Sequence, residues 1–393
     1  MHKKNNKFLQ FLIIVFMMIV TISSGCQNNS TNTIETLFPA VTSLSSLTTP
    51  NNPTSYSGDF IKIAWFYKPP ITEQYALIAE DFDLVILTNH DEQERDLIRA
   101  AGLSSPIYQY LLLAEIQDPG SCQEIPNGNQ VANRPGDFCE ISIDHPDWFL
   151  LDKFGQRVDN GDGYYYMDPG EPGFRAFWLE RAREIQIEYK WDGIFLDNVE
   201  ASLLKYKQMF IGLEKYSDDT SLVTAVEEFL KYLDKNYFTP ENRPVIANII
   251  SLNDPQIWYR YLHYMDGAML ENFAVDWHGY FSRNDWEEQM SLISTTQELG
   301  KTALLVSQGT QDDLQKENFS FASYLLIANG QTSFRYTHHS AYNQIWWYPD
   351  YEIDLGNPLS PMRKEDEAWT RDFENGQVIV NPSKHTGKIV IMP

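Results

Sequence analysis

Two short apolar segments of this chain each run into an acid followed by an amide: Gly193-Ile194-Phe195-Leu196-Asp197-Asn198 and Ala268-Met269-Leu270-Glu271-Asn272-Phe273. Each reads as a β-strand that ends on a carboxylate. Two carboxylates facing one pocket can cleave an acetal. One, protonated, gives its proton to the leaving oxygen, while the other attacks carbon or activates water. For a single acid, a helix cap or an ordinary polar strand end is the commoner explanation. Asp197 and Glu271, at equivalent places on two strands, favour the chemistry and are the candidate catalytic residues.

Further apolar segments also close on groups that can bind hydroxyls. Tyr67, Asn89 (with His90 beside it), Tyr110, Asn248 and Gln308 stand at strand ends, and Asn198 and Asn272 follow the two acids directly. Asp168, in the turn Met167-Asp168-Pro169-Gly170, joins them as a candidate substrate contact. Trp277, Trp346, Trp347 and the run Tyr164-Tyr165-Tyr166 offer flat faces to sugar rings, although most such side chains serve a core or an interface. Other chemistries lack their residues. There is no His-Glu-x-x-His, no Cys-x-x-Cys and no Gly-x-Ser-x-Gly, so the sequence predicts neither a metal nor a cofactor.

Eight segments share the strand grammar, at 61–67, 84–89, 107–113, 193–198, 244–249, 268–273, 302–308 and 332–338. Stretches with helical spacing, including 174–189, 222–235 and 286–299, alternate with them. Strand–helix alternation predicts parallel strands joined by crossover helices. An open doubly wound sheet would normally carry a glycine-rich phosphate loop after its first strand, and Trp65-Phe66-Tyr67-Lys68-Pro69-Pro70 stands there instead. Eight strands predict closure into an α/β TIM (β/α)8 barrel, whose reactive groups sit at the C-terminal ends of the strands. Strands four and six are two positions apart, and alternate strands share a layer in such barrels.

The connection between strands three and four, at 114–192, is far longer than a crossover requires and reads as a functional loop. It holds Cys122 and Cys139. After 345 the chain changes character, and 369–382 with 387–392 predict two β-strands around a turn, packed as a small C-terminal β appendage because so few residues cannot bury a core.

The chain has 393 residues and a formal charge of -24, which argues against nucleic acid or an anionic membrane surface as partner. Lys3, Lys4 and Lys7, an apolar run at 8–22, and Ser23-Ser24-Gly25-Cys26 predict an export signal. Lipidation of Cys26 is one reading and ordinary cleavage or an uncleaved anchor the other. Export makes a Cys122–Cys139 disulfide the expectation over two free thiols. Residues 27–58, rich in Asn, Ser, Thr and Pro, predict a disordered tether. The domain plan is thus 1–26 signal, 27–58 tether, 59–345 barrel and 346–393 appendage, a monomer held at the bacterial cell surface only through its N-terminal lipid.

The segments Trp191-Asp192-Gly193-Ile194-Phe195-Leu196-Asp197-Asn198, Trp148-Phe149-Leu150-Leu151-Asp152-Lys153-Phe154-Gly155 and Met167-Asp168-Pro169 resemble the hypothetical glycosyl hydrolases, TIM-barrel families known mostly from sequence. Arg371-Asp372-Phe373-Glu374-Asn375-Gly376 to Asn381-Pro382 is similar to their C-terminal strand signature. The likeness runs from about Ile61 onward, in a layout related to α-galactosidase and polygalactosaminidase barrels. It implies an exported glycoside hydrolase acting on oligo- or polysaccharide, with Asp197 as nucleophile, Glu271 as acid/base and a retaining course. A surface carbohydrate-binding barrel that no longer hydrolyses is the alternative, and an exported deacetylase or other metal hydrolase lacks a ligand cluster.

Overall fold

The computed structural model describes residues 60–392, so the expected signal, the tether and Cys26 lie outside the described residues. Its centre is an eight-stranded parallel sheet built from β1 (Ala64–Trp65), β2 (Leu84–Thr88), β3 (Ile107–Leu112), β4 (Gly193–Glu200), β5 (Val245–Ile250), β6 (Gly267–Leu270), β7 (Thr302–Gln308) and β8 (Thr332–Thr337), paired in that order. A parallel bridge from Phe334 to Ile63, with the Phe334 N–H donating to the Lys62 carbonyl at 2.8 Å, joins the last strand to the first. The sheet is therefore a barrel, with all eight strands where the sequence predicts them. Closure leaves no free edge to cap.

The strands are apolar on both faces because both are covered. Ala64, Ile86, Phe195, Ile246, Met269 and Leu304 fill the interior, while alternate residues such as Val85, Ile194, Ala247 and Leu305 pack under the outer helices. The helices begin where local chemistry satisfies their first N–H groups. Pro172–Tyr189 opens with Pro172 behind Glu171, whose carboxylate accepts from the Gly173 N–H at 3.2 Å. Asp219–Leu233 starts in a capping box made by Asp218 and Ser221, and Arg283–Glu298 starts from Ser282.

The long connection after β3 folds back on itself as a short antiparallel ladder between Glu115–Gln117 and Tyr164–Tyr166. Cys122 and Cys139 are bonded within it, with α-carbons 5.8 Å apart. The C-terminal region corrects the expectation of two strands. It is a four-stranded antiparallel sheet of Arg363–Glu365, Ala368–Phe373, Gly376–Asn381 and Thr386–Ile391. The charged Arg363–Glu365 carries no apolar alternation to betray it, and the Glu374-Asn375 turn divides what reads as one long strand. This sheet packs on the helix Leu314–Ile327, where a Cβ at Gly387 would lie 2.7 Å from the Asn318 carbonyl oxygen, and Phe60 stacks on Phe373 at 5.2 Å.

Candidate active site

Strand β4 carries the first acid through an irregularity. Its pairing with β5 slips between Leu196 and Val199, and Asn198 adopts a left-handed φ of 56°. A bulge of this kind re-aims side chains at the end of a strand. Asp197 is directed toward the barrel axis, and its backbone oxygen is held by the Leu113 N–H at 3.1 Å. Glu271 follows the last residue of β6.

The two acids meet at one side chain. Asn248, on β5 between them, donates through Nδ2 to Asp197 Oδ1 at 2.9 Å and to Glu271 Oε2 at 3.1 Å. The two distances from one nitrogen, 2.9 Å and 3.1 Å, put the bridged oxygens no further apart than their sum, 6.0 Å. The remaining oxygen of each acid takes a phenol. Tyr110 donates to Asp197 Oδ2, and Tyr342 donates to Glu271 Oε1 at 2.9 Å. Gln308 in turn donates to the Tyr342 oxygen at 3.0 Å.

Burial, and then the charge of Asp197, push the Glu271 carboxyl above its ordinary value, against the pull of the bonds from Tyr342 and Asn248. No ion pair with a cation is recorded for either acid among the described residues. The site therefore holds two neighbouring carboxyls of which one favours its proton.

Tyr67 stacks on Tyr110 at 4.6 Å, and burial together with the charge of Asp197 pushes its phenol up to about 12. Four side-chain acceptors, Asn248 Oδ1, Asn272 Oδ1, Gln308 Oε1 and Asn89 Oδ1, are buried and make no hydrogen bond among the described residues. An unmatched buried acceptor costs about 1–3 kcal/mol.

Several expected contacts lie elsewhere. Asp168 is 1% exposed and spends its oxygens on Lys215 at 2.6 Å, on Tyr216 and on the Gly170 N–H, as the staple of a turn. Asn198 is turned away by its own φ and donates to Glu115 Oε1 at 2.7 Å. Trp346 packs on Tyr336, Trp347 on Phe82 and Tyr351, Tyr165 on Phe138 and Tyr166 on Tyr206, all core contacts. Trp277 is 43% exposed and stands edge-on to His339.

Sequence reasoning missed two features. Tyr342 sits in the segment after β8, and no spacing connects it with Glu271. Beneath Asn198, Lys205 lies between Glu115 at 3.1 Å and Glu200 at 3.0 Å, a buried trio drawn from three separate segments.

Residues 107–377 match the model of a family described as hypothetical glycosyl hydrolase family 15, a span that includes both acids and Asn248. A search of curated protein sequences found no match. Among solved structures, the chain is similar to the glycoside hydrolase domain of PelA from Pseudomonas aeruginosa at 14% identity and a TM-score of 0.48, covering 71% of this chain and 95% of that one. It is also similar to the noncanonic maltogenic alpha-amylase AmyB from Thermotoga neapolitana, at 11% identity and a TM-score of 0.49, covering 82% and 86%.

Proposed function

From the premise that this chain belongs to hypothetical glycosyl hydrolase family 15, we propose that Asp197 and Glu271 are its catalytic pair in a retaining hydrolysis of O-glycosidic bonds. The observation that carries the reading is the single Asn248 amide donating to both carboxylates. Two carboxyls bridged by one amide suit a direct attack by one acid, because an inverting pair stands roughly 6.5–9.5 Å apart to admit a water.

The roles follow from the surroundings. Glu271, whose proton is favoured by burial and by Asp197, protonates the glycosidic oxygen as the C–O bond breaks. Asp197, oriented for attack by donors from Tyr110 and Asn248, forms a bond to the anomeric carbon. The aglycone leaves with the Glu271 proton, and Glu271 is left as a carboxylate. It then takes a proton from water as that water's oxygen displaces Asp197, which restores both acids and releases the sugar with its original anomeric configuration.

Trapping tests this directly. A 2-fluoro glycoside with a good leaving group should leave its sugar attached to Asp197, read as a mass increase on the peptide that holds it. Labelling elsewhere, or hydrolysis with inversion by nuclear magnetic resonance, would remove the assignment. With Asp197→Ala, added azide should yield only the glycosyl azide of opposite anomeric configuration, since no enzyme nucleophile remains.

The same proposal places the enzyme at the bacterial cell surface, anchored by a lipid on Cys26 and acting on oligo- or polysaccharide there. The basic residues, apolar run and Ser-Gly-Cys ending of the first 26 residues support that placement. Globomycin, or Cys26→Ala, should then leave unprocessed precursor or shift the protein from membrane to medium.

A further inference from the structure

The disulfide-closed stretch of the long connection after β3 has no part in the chemistry above, yet it lies against the ends of two barrel strands. The Asn129 carbonyl accepts from the Leu112 N–H at 2.8 Å. Leu112 is the register partner of Asp197 across the β3–β4 pair. Next to it, a Cβ at Gly128 would overlap the Asn89 carbonyl oxygen at the end of β2. Only glycine lets the loop come so close. Its base is fixed by the Cys122–Cys139 bond and by fully buried Gln130, whose Oε1 accepts from the Gln117 N–H at 2.6 Å.

The loop presents a small polar array. Asn127 Nδ2 donates to the Tyr164 hydroxyl at 2.6 Å, and that hydroxyl donates to Asn129 Oδ1 at 3.1 Å. Tyr164 and Tyr67 both pack against the apolar cluster that fills the barrel interior. Tyr67 stacks on Tyr110, and Tyr110 donates to Asp197. The array is therefore continuous with the acid pair. Asn129 is only half-buried, and its Nδ2 makes no hydrogen bond among the described residues.

Resting on the hydrolase reading, we propose that Asn127, Asn129 and Tyr164 form a second sugar-binding wall, which takes the hydroxyls of a neutral sugar beside the Asp197 end of the site. The sign of charge decides between sugar classes. The stretch 125–131, Ile-Pro-Asn-Gly-Asn-Gln-Val, is uncharged. The charges around it include the carboxyls Asp197, Glu271, Glu115 and Glu200; of the cations, Lys205 is taken by Glu115 and Glu200, and Lys68 stands over the Tyr67 ring, its Nζ 5.4 Å from the centroid. With carboxyls outnumbering cations, a uronate or a sulfated ring would meet net repulsion, whereas amides and a phenol suit uncharged hydroxyls.

The test uses the mature chain with 4-nitrophenyl glycosides of neutral hexoses, N-acetylhexosamines and hexuronic acids, together with oligosaccharides of the same sugars. Wild type should turn over neutral members and not uronides. Asn129→Ala keeps the backbone bond to Leu112 and Tyr164→Phe keeps the ring. Each should lower kcat/KM on the neutral substrate roughly tenfold, the worth of one or two uncharged hydrogen bonds. Cys122→Ser combined with Cys139→Ser should raise KM in protein that still melts cooperatively. Values within twofold of wild type for Asn129→Ala and Tyr164→Phe, or preferential cleavage of uronides, would overturn the wall while leaving the acid pair standing. If nothing on the panel is cleaved, the same variants are read on an array of neutral glycans. Binding that Asn129→Ala loses keeps the wall and removes the hydrolase reading; no binding by wild type overturns both.

Discussion

Strands β4 and β6 each carry an acid at both ends, Asp192 before β4 and Asp197 within it, Asp266 before β6 and Glu271 after it, and the two ends treat their acids differently. At the N-terminal end, Asp192 accepts from the Ile107 N–H at 2.8 Å and pairs with Arg99, and Asp266 accepts from the Val245 N–H at 2.9 Å. Asp83 before β2 repeats the device, with the Ile63 N–H at 3.0 Å and Lys62 at 2.8 Å. Each of these acids staples the start of the preceding strand. At the C-terminal end, Asp197 and Glu271 receive phenols and a shared amide, and among the described residues no cation pairs with them. Asp192 and Asp83 are each given a backbone N–H and a cation, and Asp266 a backbone N–H. Glu271, with neutral donors and a like-charged neighbour, is instead pushed toward its protonated form.

The largest effect that could break this contrast is on turnover. Asp197→Ala should lower kcat by about 10⁴-fold or more, with the melting temperature little changed, measured by steady-state hydrolysis beside thermal denaturation. Asp192→Ala should do the reverse. It loses a staple worth about 1–3 kcal/mol in a urea titration, and the folded fraction keeps its kcat. Equal losses of activity in both variants would erase the distinction between the two ends.

Next in size is the leaving-group dependence of Glu271→Ala. A general acid contributes about 10²–10⁴-fold, and a nitrophenolate leaving group needs little protonation. Turnover of natural glycosides should therefore fall by that range while activated aryl glycosides lose far less. A uniform loss would assign Glu271 to binding rather than proton transfer.

A third carboxyl sharpens the comparison because burial outweighs the one phenol, Tyr351, beside it. Glu317, 3% exposed on the helix Leu314–Ile327, has its carboxyl pushed up to about 8 by burial and by the charge of Asp350. Its folded value lies above its unfolded value, so its protonated form favours the fold. That contribution is fully present below the ordinary glutamate range and is lost as pH rises through about 8. Glu317→Gln should flatten the decline and gain about 1–3 kcal/mol at pH 9, read from urea titrations at pH 5 and 9.

The barrel, and the placing of Asp197 and Glu271 at the ends of its strands, were legible in the sequence for the same physical reason. Strands covered on both faces leave uninterrupted apolar runs, and the first ionisable group after such a run marks the strand's open end. What could not be read depends on direction rather than position. Asn198 stands beside Asp197 in the sequence, yet the bulge turns it to Glu115. Asp168 has the right type in a suggestive turn, but Lys215 and Tyr216, 47 and 48 residues away, use it up. Tyr342 reaches Glu271 across 71 residues. The period of two that orients a strand residue says nothing about a side chain beyond the strand's end.

The smallest expected effect tests whether Tyr342 tunes the acid it touches. Its hydroxyl donates to Glu271 Oε1, a bond that favours the charged carboxylate and so opposes the rise caused by burial and by Asp197. Removing that donor with Tyr342→Phe leaves the upward pressures less opposed, and the Glu271 carboxyl moves further up. In the mechanism proposed above, the free enzyme must enter the reaction with Glu271 protonated. The alkaline limb of the kcat/KM profile follows its deprotonation and should move to higher pH. Ring packing is kept, so kcat on the acid side of that limb should fall only a fewfold. A limb that stays in place, or moves down, would mean that Tyr342 positions Glu271 without tuning it. The contrast between the barrel's two ends would then rest on the shared Asn248 amide and the Asp197 charge alone.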